Sequence, residues 1–487
     1  MVNMKNKKYQ SVIGLEIHSE LKTNSKMFCS CPNDFDAEPN TNICPICLGH
    51  PGTLPVINKK AVEKVIKVGS ALNCKIARVS KFDRKSYFYP DLPKGYQISQ
   101  FDKPLCEKGH LKVKDKRITI RRIHLEEDAG KLTHTDENYS LLDCNRAGLP
   151  LMELVTEPDI RSSEEAIAFA KELQLILRYL DISNANMEKG QMRVEVNISL
   201  SEKKEGSDEV DLSNPRVEIK NLNSFKAVKG AIKYEIKRQT QLLEKGKKVD
   251  RETRGWDADK NKTLSQRKKE EAHDYRYLPE PDLPPLIFSD EEIEKIQEEI
   301  PELPKEKRKK FSEEYNLKNQ NVNFFIENIK VGKFFEKTIK LIEKEKGKEE
   351  EMIQLAANYL TSDLQGLVNQ ASKREIKFSP ENFTQFIVLI DQGKISSKIA
   401  KKVLEEMFQT GKEPSQIIEE KGLSKINNQD KIEGIIQKVI EKNQEAVSDF
   451  RSGKKNAFQF LIGQIMKETK GRANIEKVRS VLKEKLN

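Results

Sequence analysis

VIGLEIHSEL, residues 12–21, alternates, and that alternation decides the fold: Ile13, Leu15 and Ile17 fall on one side, Glu16, His18 and Glu20 on the other. Successive side chains of a strand point to opposite faces. The stretch therefore predicts a β-strand with one apolar face for a core and one polar face free to carry chemistry. The pattern recurs further along the chain. Ile118–Glu126 puts Arg122, His124 and Glu126 on one face. Gln191–Ser199 sets Arg193, Glu195 and Asn197 against Met192, Val194, Val196 and Ile198, and Val217–Leu222 places Glu218 and Lys220 on its polar side.

Helices interrupt these strands. Ser162-x-x-Glu165 has the spacing of a capping box and opens an amphipathic helix through about Leu180, with Ile167, Ala170, Leu173, Leu177 and Leu180 apolar. A second helix is predicted from about Ser224 to Lys245, where Lys226, Lys229, Lys233 and Lys237 form a basic stripe at three- or four-residue spacing. The proline-dense YLPEPDLPPL (277–286) reads as the end of the β-rich part. From about residue 290 the chain turns Lys/Glu-rich and helical, with a second break at QTGKEP (409–414) and a helix over Asn456–Glu468. No internal repeat is visible. The expectation is an α+β chain: a β-sheet domain with helices over 1–292, an all-α domain over 293–410 and a small all-α tail domain over 411–487. A length of 487 residues, too great for one ordinary core, agrees with several domains.

Hydrophobic residues make up 36% and charged residues 34% of the chain, a composition for large solvated faces. No run of 18 apolar residues occurs, which argues against a spanning helix and against membrane association. MVNMKNKKYQ, residues 1–10, lacks the apolar stretch of a secretory signal, so a cytoplasmic location is the default expectation. The formal net charge is +10. Residues 451–487 hold ten Lys and Arg against three Glu, so this short segment carries +7 of it. Two readings stand: a phosphate-binding surface for nucleic acid, or a solubilising tail.

Four of the seven cysteines form Cys29-x-Cys31 and Cys44-x-x-Cys47. In a cytosolic chain such spacing argues for a metal over disulfides. Four thiolates suit zinc in a closed tetrahedral site, structural because no position stays open for substrate. The polar, turn-rich PNDFDAEPNTNI between the pairs (32–43) needs a staple to be ordered. The alternative is four unligated buried cysteines. Cys74, Cys106 and Cys144 stand alone and read as small apolar core residues.

Glu16 and His18 share a strand face at i and i+2, and Glu126, Glu127, Asp128 and Glu153 are further acids from neighbouring β segments. Carboxylates with an imidazole can hold a divalent cation, and oxygen ligands favour magnesium. The plainer reading is a solvated polar face, common on antiparallel strands. Acids and bases on several strand faces favour the cation, because a carboxylate face repels itself unless a metal or Lys/Arg neutralises it. Lys85, Lys94, Arg122, Arg193 and Lys220 are the available bases. Neither a phosphate-binding G-x-x-x-x-G-K-[ST] loop nor a dinucleotide glycine fingerprint occurs, so any ATP is bound in another way.

Several long stretches in fixed order carry a resemblance. They are VIGLEIHSELKT (12–23), SKFDRKSYFYPDLPKGYQISQ (80–100), HLEEDAGK (124–131), NRAGLPLMELVTEPDI (145–160), MRVEVNISL (192–200), VEIKNLNSF (217–225), TRGWD (253–257), YRYLPEPDLPPL (275–286) and GKKNAFQFLIGQIMKETKGRAN (453–474). Along almost the whole chain they resemble the GatB family, the B subunits of tRNA-dependent amidotransferases. The resemblance implies a β-sheet cradle with catalytic function, then a helical domain, then a tRNA-binding tail. It implies partners: an A subunit that hydrolyses glutamine, a small C subunit, and misacylated tRNA. In that family ATP is used to phosphorylate the side-chain carboxylate of Glu-tRNA(Gln) or Asp-tRNA(Asn), and ammonia then displaces the phosphate to give Gln-tRNA or Asn-tRNA. Such chemistry needs a metal against the ATP phosphates and a site that positions the attacking carboxylate.

By resemblance, Glu16, His18, Glu126 and Glu153 hold Mg²⁺, and Glu127, Glu195 and Glu218 match acidic positions around the same site, for a second cation or for orienting ammonia. Lys85 and Lys94 are candidates for phosphate charge, with Arg193 beside them, and Lys454, Lys455, Lys470 and Arg472 are the tail's candidate tRNA contacts. Glu195 departs from relatives with Asp at that position. Some members lack the four cysteines, which supports a structural zinc. Ser396-Ser397-Lys398 matches an amidase serine–lysine set only superficially and sits at what reads as a helix start. The competing reading is a non-enzymatic, zinc-containing RNA-binding protein, which explains the cysteines and the charge but not the acidic strand faces. A third, the related archaeal Glu-tRNA-specific family, requires an inserted domain for which 487 residues leave no room.

Overall fold

The computed structural model describes all residues except 1–7, 35–36, 203–213, 269–274, 347–348, 372–374, 424–428, 470–472, 474 and 487. The chain forms two compact units, Met1–Pro304 and Lys305–Asn487.

The first unit is built on a sheet that has nine strands among the described residues. Their order across it is Lys262–Lys268, Glu252–Asp257, Val217–Lys220, Met192–Glu202, Tyr9–Glu20, Pro150–Thr156, Lys116–Glu127, Cys106–Val113 and Lys75–Ile76. Tyr9–Glu20, which contains the alternating stretch, lies at the centre. All neighbours are antiparallel except Val217–Lys220 and Glu252–Asp257, which run parallel. One face is apolar: Ile13, Leu15, Ile17, Ile123, Leu125, Met152, Leu154, Val194, Val196, Ile198 and Ile219 are all buried. It is covered by the helices Lys59–Ala71, Ser163–Tyr179 and Phe225–Glu244. Each such side chain contributes about 1.5–3 kcal/mol on leaving water, which holds the opposite, polar face in place.

The helices start where side chains cap them. Asn58, Ser162 and Ser224 accept from the backbone N–H of Ala61, Glu165 and Ala227. Half of the capping box expected at Ser162 is present. The Glu165 carboxylate bonds the Arg161 N–H instead, at 2.9 Å, and pairs with Lys116. A complete box occurs at Ser289 and Glu292, opening the helix Asp290–Glu298, within the first unit.

A small sheet, in the order Leu278–Pro279, Asp83–Ser86, Tyr96–Ser99, packs beside the Glu126 strand. The proline-dense segment thus forms structure: Leu278–Pro279 pairs with Asp83–Ser86, and Leu286–Ile287 with Val79–Ser80. The fold is α+β, as expected.

Every element of the second unit among the described residues is helical. Phe311, Phe325 and Phe335 pack together in its core. The helix Ser397–Thr410 has Ser396 as its N-cap and ends on Gly411, whose φ of 77° suits glycine; Pro414 starts the next helix. From Gln429 onward the helices share a cluster of Ile432, Ile436, Leu461, Ile465, Val478 and Leu482. No described helix is long and apolar enough to cross a membrane.

Candidate active site

Register, more than spacing along the chain, assembles the site. His18 lies opposite Glu153 on one side and opposite Arg193 on the other, and Glu153 in turn faces His124. A row His124, Glu153, His18, Arg193 therefore crosses four strands on the polar face. Glu126 lies one pleat along, opposite Leu151, and Glu16 lies one pleat the other way, opposite Glu195. The side chains converge. His18 Nε2 stands 3.4 Å from Glu153 Oε2, 3.7 Å from Glu16 Oε1 and 3.8 Å from Glu126 Oε1. His124 Nε2 lies 3.6 Å from Glu153 and 3.7 Å from Glu126. Two ligand-type groups, Glu16–His18–Glu153 and His124–Glu126–Glu153, share Glu153. Ser99 Oγ donates to Glu126 at 3.2 Å from the small sheet.

The electrostatics are those of a face short of positive charge. Burial, then the neighbouring Glu153 carboxylate, pushes the Glu16 carboxyl up to about 7, against the pull of His18. Burial alone would lower His18, but the hydrogen bond and charge of Glu153, with Glu126 and Glu16 behind them, raise it to about 9. Burial would raise Glu153 as well, yet the imidazoles of His124 and His18 hold it below the usual carboxylate range. Lys85, despite its burial, is held above the ordinary lysine range by Glu126, Tyr277 and Glu153. An imidazolium is the charge that keeps three carboxylates together here. A divalent cation could take the place of its proton, and the donor set, three carboxylates and imidazole nitrogen, fits magnesium.

The other expected residues distribute around this centre. Glu127 turns away from Glu126, as consecutive strand residues must, and both its oxygens are engaged, by Lys94 Nζ at 2.5 Å and the Ile98 N–H at 2.9 Å. Arg193 is bound to Asp128 at 3.0 Å. Glu195 and Glu218 lie on the far side of Glu16: Lys220 Nζ stands 2.9 Å from Glu195 and 3.7 Å from Glu218, which also accepts from Thr253. Lys85 lies over the Tyr275 and Tyr87 rings, at 5.0 and 5.8 Å. In the tail, Lys454 pairs with Asp449 at 2.8 Å, and Lys455 opens the helix Lys455–Glu468. Lys470 and Arg472 lie outside the described residues.

The four clustered cysteines come together, one sulfur from each within 4.8 Å of the others, and no disulfide links them. A hydrogen bond from the Cys29 thiol holds Cys47 down to about 4, whereas burial pushes Cys31 up to about 11. Lys26, fully buried, directs its amine to Cys47 Sγ at 3.7 Å and to the Cys144 carbonyl at 3.1 Å. Four sulfurs with a buried cation beside them fit a thiolate-bound zinc.

Sequence reasoning set His124 on the Glu126 face but gave it no role; only its pairing with Glu153 reveals one. It also gave Tyr87, Tyr277 and Lys26 no part. The tyrosines stood inside the family-like stretches, whereas nothing in the local sequence marks Lys26.

Comparison with known proteins bears on this geometry. Residues 11–294 match the model described as the GatB/GatE catalytic domain, and residues 333–486 match the GatB domain. A protein of Thermoanaerobacter pseudethanolicus, named as the B subunit of an aspartyl/glutamyl-tRNA(Asn/Gln) amidotransferase, is 49% identical over 99% of this chain and 100% of its own. Proteins of the same name from Caldicellulosiruptor saccharolyticus and Thermotoga petrophila are 49% and 46% identical, each over 98% of this chain and 99% of its own.

Proposed function

The chain belongs to the GatB family, and from that premise we propose that it is the B subunit of an Asp/Glu-tRNA(Asn/Gln) amidotransferase and carries the ATP-dependent half of the reaction. It works as one member of a glutamine-hydrolysing amidotransferase complex, with an A subunit that releases ammonia and a small C subunit, in the cytoplasm where aminoacyl-tRNA is used. The observation that carries the reading is the convergence of Glu16, His18, Glu126 and Glu153 on one strand face. A purely RNA-binding protein has no use for acids crowded to the point where one carboxyl is pushed up to about 7.

Glu16, His18, Glu126 and Glu153 would hold Mg²⁺, with His124 beside them. When bound, the ion neutralises the ATP phosphates. Lys85, kept protonated by Glu126 and Glu153, offers charge to a transferred phosphoryl group. The substrate carboxylate attacks phosphorus, ADP leaves, and ammonia then displaces phosphate from the activated carbonyl. Glu127 binds Lys94 and the Ile98 N–H, and so holds the strand Tyr96–Ser99 that carries Ser99 to Glu126. Lys220 balances Glu195 and Glu218, so that these acids do not repel substrate from the Glu16 side. The four cysteines would hold a structural zinc that ties Cys29 and Cys31 to Cys44 and Cys47. In the second unit, residues 305–410 are the helical part and 411–487 the tRNA-binding part, and Lys454 and Lys455, with Lys470 and Arg472, contact phosphates without reading bases.

The test is reconstitution with A and C subunits, Glu-tRNA(Gln) or Asp-tRNA(Asn), glutamine, ATP and Mg²⁺. Wild type is expected to form Gln-tRNA or Asn-tRNA, and Glu16→Ala to form none while glutamine hydrolysis persists. Product from both chains would remove the metal site from the mechanism. No product from either tRNA with the wild type would remove the amidotransferase reading and favour an RNA-binding protein.

A further inference from the structure

Phe101 and Tyr277 stack face to face, ring centroids 4.0 Å apart and planes 12° apart, and Phe101 is nevertheless 48% exposed. A large apolar ring with its outer side in water is fixed here at the rim of the acid cluster. Phe101 lies two residues past Ser99, whose hydroxyl bonds Glu126, and its own N–H donates to the buried Asp83 carboxylate at 3.0 Å. Tyr277 immediately precedes Leu278, which pairs with Arg84, and the Ser86 N–H bonds the Tyr275 carbonyl at 2.8 Å, so Tyr277 is carried alongside Lys85. The Tyr277 hydroxyl feels the charges of Lys85, Glu126, Arg122 and Glu153. Tyr275 and Tyr87 continue the aromatic wall edge to face, with ring centroids 6.1 Å from Tyr277 to Tyr275 and 5.8 Å from Tyr275 to Tyr87. Both rings of the stack are thus held by strand pairing and backbone hydrogen bonds before any ligand arrives.

We propose that Phe101 and Tyr277 form the shelf on which the 3′-terminal nucleobase of the aminoacylated RNA stacks, delivering the amino acid esterified to that nucleotide to the acid cluster. The proposal rests on the reading of the chain as part of a tRNA-dependent amidotransferase. Every base has a π-face, so an aromatic shelf takes a terminal base without hydrogen bonds to its edges. A free nucleotide such as ATP gains affinity from a concave, enclosing pocket. A half-exposed shelf suits a base brought by a macromolecule already anchored elsewhere.

The test uses the reconstituted complex with Phe101→Leu, which keeps apolar volume without a π-face, and Phe101→Trp, which restores one. Phe101→Leu is expected to raise KM for aminoacyl-tRNA by about five- to a hundredfold, the worth of one stacked base, while KM for ATP stays within about twofold. Phe101→Trp is expected to recover most of the loss. In binding, wild type should prefer intact uncharged tRNA over the same tRNA trimmed of its terminal nucleotide, and Phe101→Leu should bind both alike. An unchanged KM for aminoacyl-tRNA in Phe101→Leu, a loss confined to KM for ATP, or persistent discrimination against trimmed tRNA overturns the proposal alone. A wild-type complex inactive on both aminoacyl-tRNAs overturns the functional reading and this proposal with it.

Discussion

Glu235→Ala should destabilise the first unit by several kcal/mol although Glu235 belongs to no functional site. Glu235 lies on the helix Phe225–Glu244, fully buried. Arg238 grips it bidentately, Nε to Oε1 and Nη2 to Oε2, both at 2.9 Å. Gln239 donates to it at 3.0 Å, Thr263 at 2.5 Å, and Arg254 stands 3.2 Å away. Glu252 is the second anion, 2.6 Å from Arg254 and 3.5 Å from Arg238. Two arginines thus face two carboxylates under the helix, and removing one carboxylate leaves one positive charge uncompensated. Breaking a buried pair in this way costs about 3–5 kcal/mol, and the surviving Glu252 places the expectation at the lower end. A unit ending at Pro304 has an unfolding entropy of about 0.6 kcal/mol per kelvin, so Tm should fall by about 5 °C. The readout is local: Trp256 is the single tryptophan, and a Cβ at Gly230 of the same helix would come within 2.8 Å of its ring. Melting followed by tryptophan fluorescence therefore reports the first unit without the helical one. Glu235→Gln, which keeps the shape and drops the charge, should fall between the two. A shift below about 2 °C for Glu235→Ala would refute the argument that this network is desolvated and charge-balanced.

Further outcomes are expected elsewhere. Glu153→Gln removes the carboxylate shared by His18 and His124; amidation should drop at least about a hundredfold with glutamine hydrolysis intact, measured as aminoacyl-tRNA product against glutamate release. Gly49→Ala forces a side chain onto a φ of 70° and sets its Cβ 2.5 Å from Lys94 Cγ. It should cost about 1–2 kcal/mol and slow amidation by displacing Lys94 from Glu127, with metal content unchanged by elemental analysis. Metal analysis of the purified chain should find about one zinc, and its removal by a chelator should speed hydrogen exchange over Cys29–Gly49. A chain ending at residue 410 should bind tRNA more weakly, and the slope of log affinity against log salt should become shallower by about 3, one unit or less per lost phosphate contact.

What could be read from the chain alone was the local part of each pattern. The two faces of Val12–Leu21 follow from alternation, and the four cysteines carry their meaning in their spacing. Register was not legible. Glu153 meets His18 because Glu20 pairs with Leu151, and a slip of one residue would turn Glu153 to the apolar side. Glu126, Glu127 and Asp128 form one acidic run in sequence, but the strand sends them to three partners: Glu126 to the imidazoles, Glu127 to Lys94, Asp128 to Arg193. The proline-dense segment signalled a boundary because prolines break elements, yet its Leu278–Pro279 becomes an edge strand, where a missing N–H costs least. That pairing brings Tyr275 to Lys85, whose Nζ lies 5.0 Å from the ring centroid, a contact across nearly two hundred residues that no local pattern encodes.

The sheet reconciles opposing demands by giving each a face. Drawing Glu16, Glu126 and Glu153 around one imidazole disfavours folding, since the carboxylates repel and are stripped of water, and the rise of Glu16 to about 7 records that cost. The opposite face supplies the compensation, because the same strands bury Ile13, Leu15, Ile17, Leu125 and Leu154 beneath three helices. Alternation makes the two inseparable: a strand that places Ile17 in the core must present Glu16 and His18 to the other side. A cation that binds this face relieves the repulsion of the folded state and finds no such cluster in the unfolded chain, so its binding adds to stability. Acidic crowding is therefore the feature that a bare fold tolerates and a bound metal would exploit. The lysines at its rim, Lys85 on one side and Lys220 on the other, offset part of the excess negative charge.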